Sequence, residues 1–489
     1  MFCEQNSTEE SMTYAELEPK EVFSYFKQLS DIPRGSGNER AAAEFVRDTA
    51  LSFGHEAEID EANNVFVRAR ATAGYEDRAP VMLQGHLDMV CEANRNVKHD
   101  FLKDPIELIL EGDTLRANGT TLGADDGVSV ATMLAILSSD DIPHPALECL
   151  FTTEEETGLT GMRNFDPTKA KARRLINLDS AGEGEATVSC AGGVRSHVHF
   201  AVVKSPHCAG STVLRLEVAG LAGGHSGEDI NLGRKNAIVE AVRILYAGTK
   251  ASPVRILFFE GGNRDNAIPR ECSAVFAVKD PDAFREAAAA EIAKIRSECV
   301  PDDAAFRAEI CAGEAAPALD ETASLSLLAL LRNLPNGVHG MSRSVPGLVE
   351  TSSNLAVVRE TADGYEIVVS SRSSVESRLD DMQNRVECAA AAADAGTTHI
   401  SRYPGWDPME DSPMQRLYLN TWKELFGTEA RVIGIHAGLE CGLLKGKLPD
   451  MDMISIGPDI KNLHSPDETL NVASLARMFR LVCAMLKHS

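Results

Sequence analysis

The chain of 489 residues has no apolar run near the ~20 residues that a bilayer-spanning helix needs, and it has no Cys-x-x-Cys pair. The first lack excludes a helical membrane protein, so no membrane partner is expected. The second argues against a thiolate metal site or a redox motif. The 11 cysteines are odd in number and scattered, several within apolar runs as Cys149 is, which predicts free thiols in a reducing compartment. Positive charge is also scarce: 48 Lys and Arg stand against 73 Asp and Glu, a formal net charge of -25. With no basic stripe to neutralise phosphates, nucleic acid is excluded as a partner. The first residues carry neither a basic segment nor an apolar one, so no secretory signal is expected. Cys3 lacks any context for lipidation, and a cytoplasmic location is the expectation. There is no internal repeat and no low-complexity tract.

What is present fits a folded protein, with 44% hydrophobic and 25% charged residues. The length exceeds one ordinary core and predicts two domains. In the first part, helical patterns over residues 11–29, 38–53 and 128–137 alternate with strand patterns over 65–70, 81–89, 147–153 and 175–178. Such alternation predicts an α/β fold with a largely parallel sheet. The middle has amphipathic strands at 212–218, 254–259, 274–278 and 367–371, and helices at 235–246, 283–295, 325–334 and 381–393. A hairpin over 355–371, turning at Ala362-Asp363-Gly364, marks this part as an α+β unit with an antiparallel sheet. A helix at 414–426, a strand at 453–456 and a helix at 475–486 return to the first character. The expectation is a discontinuous domain over 1–192 and 403–489, interrupted by an inserted domain over 193–402.

Acids and imidazoles gather where the buried strands of the first domain end, which is where functional groups collect in parallel sheets. Gly85-His86-Leu87-Asp88 closes one strand, and alternation puts His86 and Asp88 on one side. Glu154-Glu155-Glu156 follows another, Asn177-Leu178-Asp179 a third, and His464 lies in a polar loop far downstream. Gly123-Ala124-Asp125-Asp126-Gly127 opens a helix. Each piece has a plainer account: a surface His–acid pair, helix-capping aspartates, a solvated acidic run. Spacing alone leaves open which two of the three glutamates act. Together, two imidazoles and several carboxylates without sulfur suit zinc, manganese or cobalt, with carboxylates to spare for proton transfer.

These segments, with Cys190-Ala191-Gly192-Gly193, Gly223-Gly224-His225-Ser226-Gly227, Asn266-Ala267-Ile268-Pro269-Arg270, Tyr403-Pro404-Gly405-Trp406 and His436-Ala437-Gly438-Leu439-Glu440, resemble the di-zinc exopeptidases. The chain is most similar among them to the aminoacyl-histidine dipeptidases (peptidase D, carnosinase-like), over nearly its whole length. The resemblance implies two divalent ions, zinc above all: one held by His86 and Asp179, the other by Glu156 and His464, with Asp125 bridging. It implies Glu155 as general base and acid, Asp88 orienting the His86 ring, and the register Glu155-Glu156. It implies that the inserted domain is a lid that also forms a homodimer. From that domain His225 would stabilise the oxyanion, often in the partner's site, while Asn266 and Arg372 bind the substrate carboxylate and His436 and Glu440 line the pocket. Glu154 and Asp126 depart from the family pattern, where Thr and Asn occur, and add negative charge beside the metals. The expected activity is hydrolysis of dipeptides of the Xaa-His type, such as β-alanyl-histidine. The competing expectations are amidohydrolase or carboxypeptidase action on N-acyl amino acids, and a non-catalytic peptide-binding homologue.

Overall fold

Four short runs rich in Val, Leu, Ile and Met form strands with almost wholly buried side chains and no polar face: Val81–His86, Leu147–Thr152, Arg174–Asn177 and Asp452–Ser455. A strand covered on both faces belongs inside a parallel sheet. In the computed structural model, which describes residues 14–206 and 210–489, they are the four central, mutually parallel strands of an eight-stranded sheet. Their registers align the carboxyl ends: His86 pairs with Thr152, Gln84 with Asn177, and Asn177 with Ser455. That alignment brings residues distant in sequence to one rim.

The parallel character stops at these four strands, a narrower extent than the sequence pattern implies. Glu56–Ile59 and Val65–Ala69 are joined by a short turn, which permits only antiparallel pairing, and Val65–Ala69 pairs antiparallel with Leu147–Thr152. On the other side Glu185–Cys190 pairs antiparallel with Asp452–Ser455. The first helix is also shorter than expected. It runs Lys20–Ser30 behind Pro19, whose ring suits a helix start and not its interior, with a separate turn at Tyr14–Glu16. Residues 11–13 of the expected helix, like Cys3 and Cys208, lie outside the described residues. The described cysteines form no disulfide. No helix among the described residues is long and apolar enough to cross a membrane.

The described chain divides into two units. The first comprises the residues up to Val188, Pro408–Gly434 and Leu443–Ser489; the second comprises Ser189–Asp407 and Ile435–Gly442. These limits differ by a few residues from the sequence borders at 192 and 403. The excursion at 435–442 has no local signature, because long-range bonding decides its membership: Ala191 donates its N–H to the Ala437 carbonyl at 2.9 Å.

The second unit is built on an antiparallel sheet in the order Arg307–Ala312, Thr212–Ala219, Cys272–Val278, Val254–Gly261, Val349–Thr361, Gly364–Ser373, Gly192–Ala201, Gly396–Tyr403. Alternation is plain in Thr212–Ala219, where Leu214, Leu216 and Val218 are buried between more exposed neighbours. The hairpin turns on Ala362 and Asp363, with Thr361 opposite Gly364. Helices Ala237–Thr249 and Pro281–Glu298 are started by side-chain caps, Asn236 accepting from Ile238 and Val239, and Asp280 accepting from Ala283. They share a core in which Phe284 lies fully buried against Phe276. Gly248 faces that ring: a Cβ there would come 2.0 Å from Phe284 Cε2. Alanine in a helix interior gains up to about 1 kcal/mol over glycine, an upper bound for Gly248 one residue from the helix end, but overpacking a fixed core costs roughly 1–3 kcal/mol. Overpacking wins, so Gly248→Ala is expected to lower the denaturant midpoint. An unchanged or raised midpoint would contradict this packing.

Candidate metal centre and active site

His86 is the last residue of its strand and is buried. Its Nε2 lies 3.1 Å from Asp125 Oδ1 and 3.7 Å from Asp179 Oδ1, and its Nδ1 lies 3.3 Å from Asp88 Oδ1. Asp88 is fully buried and works in two directions. Beyond the His86 ring it accepts backbone N–H bonds from Glu155 (3.1 Å) and Glu156 (3.2 Å), and it is held by the Ser36 hydroxyl at 2.8 Å. One carboxylate thereby lies against the imidazole and anchors the glutamate turn, the position of an orienting residue around a metal ligand. His464, half-exposed, brings Nε2 to 3.2 Å from Asp125 Oδ2 and 3.1 Å from Glu156 Oε2. Asp125 turns one oxygen to each imidazole.

The electrostatics follow from crowding acids out of water. Burial pushes Asp179 well above the usual carboxylate range, and the charges of Asp126, Asp125 and Glu155 add to it. Burial opposes charge on His86 too, yet Asp179, Asp125 and Asp88 hold its pKa well above the ordinary value. Hydrogen bonds to Asp125 and Glu156 raise His464 to about 10. Asp125 is depressed against the effect of burial by its bonds to His464 and His86, and Asp88 falls to about 2, again against burial, chiefly through His86. The pocket demands positive charge.

The donor set fits divalent cations. Three groups of ligand atoms lie within 4.8 Å of one another: His86, Asp125 and Asp179; His86, Glu155 and Glu156; and Asp125, Glu156 and His464. All are nitrogen or oxygen donors, suited to hard and borderline ions. Glu156 Oε1 is buried with no hydrogen-bond partner, the state of an oxygen kept for a cation and otherwise costly.

Neither of the two departures from the family pattern belongs to a ligand group. Asp126 points away from the ligand groups. It accepts from the His86 N–H at 2.9 Å and from the Ser129 hydroxyl, and burial raises it to about 7, so much of its charge is lost at neutral pH. Gly85 makes room for it, since a Cβ there would come 2.4 Å from Asp126 Oδ2. Glu154 has φ 49° and donates its N–H to Glu39 at 3.0 Å, and its side chain belongs to none of the ligand groups.

Two residues that sequence reasoning missed hold this rim. Arg34, buried, donates to the carbonyls of Leu87 (2.9 Å), Asp88 (2.8 Å) and Gly123 (2.5 Å). The glycines flanking Asp125 and Asp126 exist partly for it, because a Cβ on Gly123 or Gly127 would come 2.6 Å from its Nη2. Glu468 accepts four backbone N–H bonds from Leu122, Gly123, Ala124 and Asp125. A buried Arg between Pro33 and Gly35 has no local signature. Glu468, four residues after His464, carried a hint only as an acid in the same loop.

The remaining candidates lie in the second unit. His225 pairs with Ala267 across a two-residue ladder and donates its N–H to Asp229 at 2.7 Å. The Glu228 N–H donates to its Nδ1 at 3.2 Å, which leaves Nε2 to carry the ring proton. Burial, then the charge of Arg372, lowers its pKa, so the ring is a neutral donor at pH 7. The exposed Asn266 is tied to the same turn by its carbonyl, which accepts from Ser226 N–H at 2.8 Å. Arg372 is buried, donates to the Tyr403 hydroxyl at 3.2 Å, and has a buried Nε without a partner. His436 bonds the Ser352 hydroxyl through Nε2 at 2.7 Å, while burial and Arg372 drive its pKa to about 3. Glu440, fully buried, begins the helix Glu440–Lys447.

Comparison with known proteins identifies the family. Residues 82–488 match the model of peptidase family M20/M25/M40. The cytosol non-specific dipeptidase of Escherichia coli (strain K12) is 37% identical over 97% of this chain and 98% of its own length. The crystal structure of aminoacylhistidine dipeptidase from Vibrio alginolyticus superimposes with a TM-score of 0.92 at 34% identity, covering 98% of each chain. Aminopeptidase PepT from Bacillus cereus shares the fold, with a TM-score of 0.55 at 15% identity over 96% of this chain and 98% of its own. From the metal-ligand groups at the strand ends and these matches together, the chain belongs to peptidase family M20/M25/M40 and is a hydrolase acting on peptide bonds.

Proposed function

We propose that this enzyme is a cytoplasmic, metal-dependent dipeptidase that cleaves Xaa-His and other dipeptides, β-alanyl-histidine among them. One observation carries the proposal. Asp125 offers its two oxygens to two separate imidazoles at 3.1 and 3.2 Å, beside a buried, unpartnered oxygen of Glu156. That is the arrangement a carboxylate shared by two cations requires. His86 and Asp179 would hold one ion, Glu156 and His464 the other, with Asp125 between them; zinc is the first candidate, manganese and cobalt the next. When bound, the ions supply Lewis acidity and lower the pKa of water toward neutrality.

The chain's own residues do the rest. Glu155, whose backbone Asp88 fixes, takes the proton of the attacking water and returns it to the leaving amine. Asp88 keeps the His86 ring in one orientation. His225, neutral with its proton on Nε2, donates to the developing oxyanion, a role that needs a donor already in place. Arg372 and Asn266 bind the free carboxylate that marks a dipeptide's end; the buried, unpartnered Nε of Arg372 supports this. His436 and Glu440 form pocket walls. The second unit serves as lid and as the surface of a homodimer. The names of the relatives, one non-specific and one aminoacylhistidine, support dipeptides as a class and a histidine on the carboxyl side as a preferred member.

Turnover of β-alanyl-histidine, other dipeptides and N-acetyl amino acids by the purified protein tests the substrate class. Dipeptide turnover that vanishes with a chelator and returns with zinc or manganese is expected. Preferential turnover of N-acetyl amino acids would replace the proposal with an amidohydrolase reading. Glu155→Gln is expected to cut kcat by about 10²–10⁴-fold with metal content unchanged; near-normal turnover would remove Glu155 as the base. The raised pKa values of His86 and His464 set a pH dependence. The His464 ring is protonated at pH 7 in the metal-free chain and the acids around His86 favour its protonated form, so binding must displace protons, and metal affinity falls as pH falls. Calorimetric zinc titrations in buffers of different ionisation enthalpy should register proton release. No release at pH 7 would mean that the two imidazoles are not ligands.

A further inference from the structure

We infer that Glu468 is a positioning residue that caps the loop before helix Ala124–Leu137 in place of Asp125, and so keeps both oxygens of Asp125 free to bridge metal ions. The inference rests on the proposed metal site. The four backbone N–H groups of Leu122 to Asp125 precede the regular helix, which the chain enters through non-helical conformations at Asp125 and Asp126. These groups find no helical carbonyl and must be met by an acceptor. The position before the helix is Gly123, with φ 69°, which has no side chain to cap with. A local carboxylate is the usual solution, and the local ones are Asp125 and Asp126. Asp126 is already turned to the His86 N–H.

Glu468 supplies the acceptor from more than three hundred residues away. Its Oε2 accepts from Leu122 (2.8 Å) and Gly123 (3.0 Å), and its Oε1 from Ala124 (2.8 Å) and Asp125 (3.2 Å). The carboxylate is 2% exposed, so these bonds face little competition from water. Glu468 also follows His464 in the same loop and donates its own N–H to Ser465 at 3.0 Å. One side chain therefore ties the segment carrying Asp125 to the segment carrying His464, whose reactive atoms meet at 3.2 Å. Without it, Asp125 is the nearest acceptor for its own loop and would turn inward to cap.

The test is zinc affinity of the full-length chain, stripped of metal and titrated against a competing chelator, alongside thermal unfolding of the metal-free protein. Glu468→Gln keeps the shape but leaves one accepting oxygen and sets an NH₂ group against N–H donors. Zinc affinity is expected to fall about 10- to 100-fold. A variant that loses thermal stability but binds zinc as the wild type does would overturn the inference, since that is what a purely structural role gives. Glu468→Asp, one methylene shorter with its charge kept, carries the same test if the Gln variant does not fold. Failure of both to fold would make Glu468 a folding residue and also overturn it. Wild-type protein that binds no zinc would remove the metal site itself, an outcome distinct from equal binding by wild type and variant.

Discussion

Mutual repulsion among crowded carboxylates is the constraint around which the first unit is arranged. Asp88, Asp125, Asp126, Glu155, Glu156 and Asp179 converge on the rim of one sheet, where low dielectric magnifies every unpaired charge. Five of them are answered in three ways. Asp88 is satisfied by His86, Ser36 and two backbone amides. Asp126 is drawn toward neutrality by burial. Asp125, Glu156 and Asp179 lie against imidazoles, which makes the two histidines strongly basic. A pocket so short of cation is poised to take up divalent metal, and its own protons are the competitors.

The frame that enforces this crowding is made of backbone contacts to buried charged side chains. Arg34 gathers three carbonyls and Glu468 gathers four amides, so the loops that carry Asp88 and Asp125 are fixed from opposite electrostatic sides. A buried ion is costly unless well bonded, and here the bonds are spent on the two loops that need rigid placement. The glycines at 123 and 127 vacate the space that Arg34 fills, and Gly85 vacates the space that Asp126 fills.

The sequence disclosed the strands and their ends, because a run buried on both faces has no polar alternation to confuse it. It therefore disclosed that His86, Asp179 and the glutamates lie at strand ends. The parallel extent was overread because pairing direction at the flanks is set by turn length, not by hydrophobicity. Register among the three glutamates, and the roles of His225, Asn266 and Arg372, came from family resemblance; residue type alone left them ordinary. Arg34 and Glu468 stayed hidden because their partners are backbone atoms far away in the chain, to which no local pattern points. The same holds for the excursion at 435–442, placed by the bond from Ala191 to Ala437.

At the centre stands the proposal that Asp125 would be shared between two divalent ions. Anomalous diffraction from crystals of the zinc-loaded protein tests it most directly. The account predicts two peaks per chain, one beside His86 and Asp179 and one beside Glu156 and His464, each within coordination distance of a different Asp125 oxygen. A single peak, or peaks away from Asp125, would contradict it.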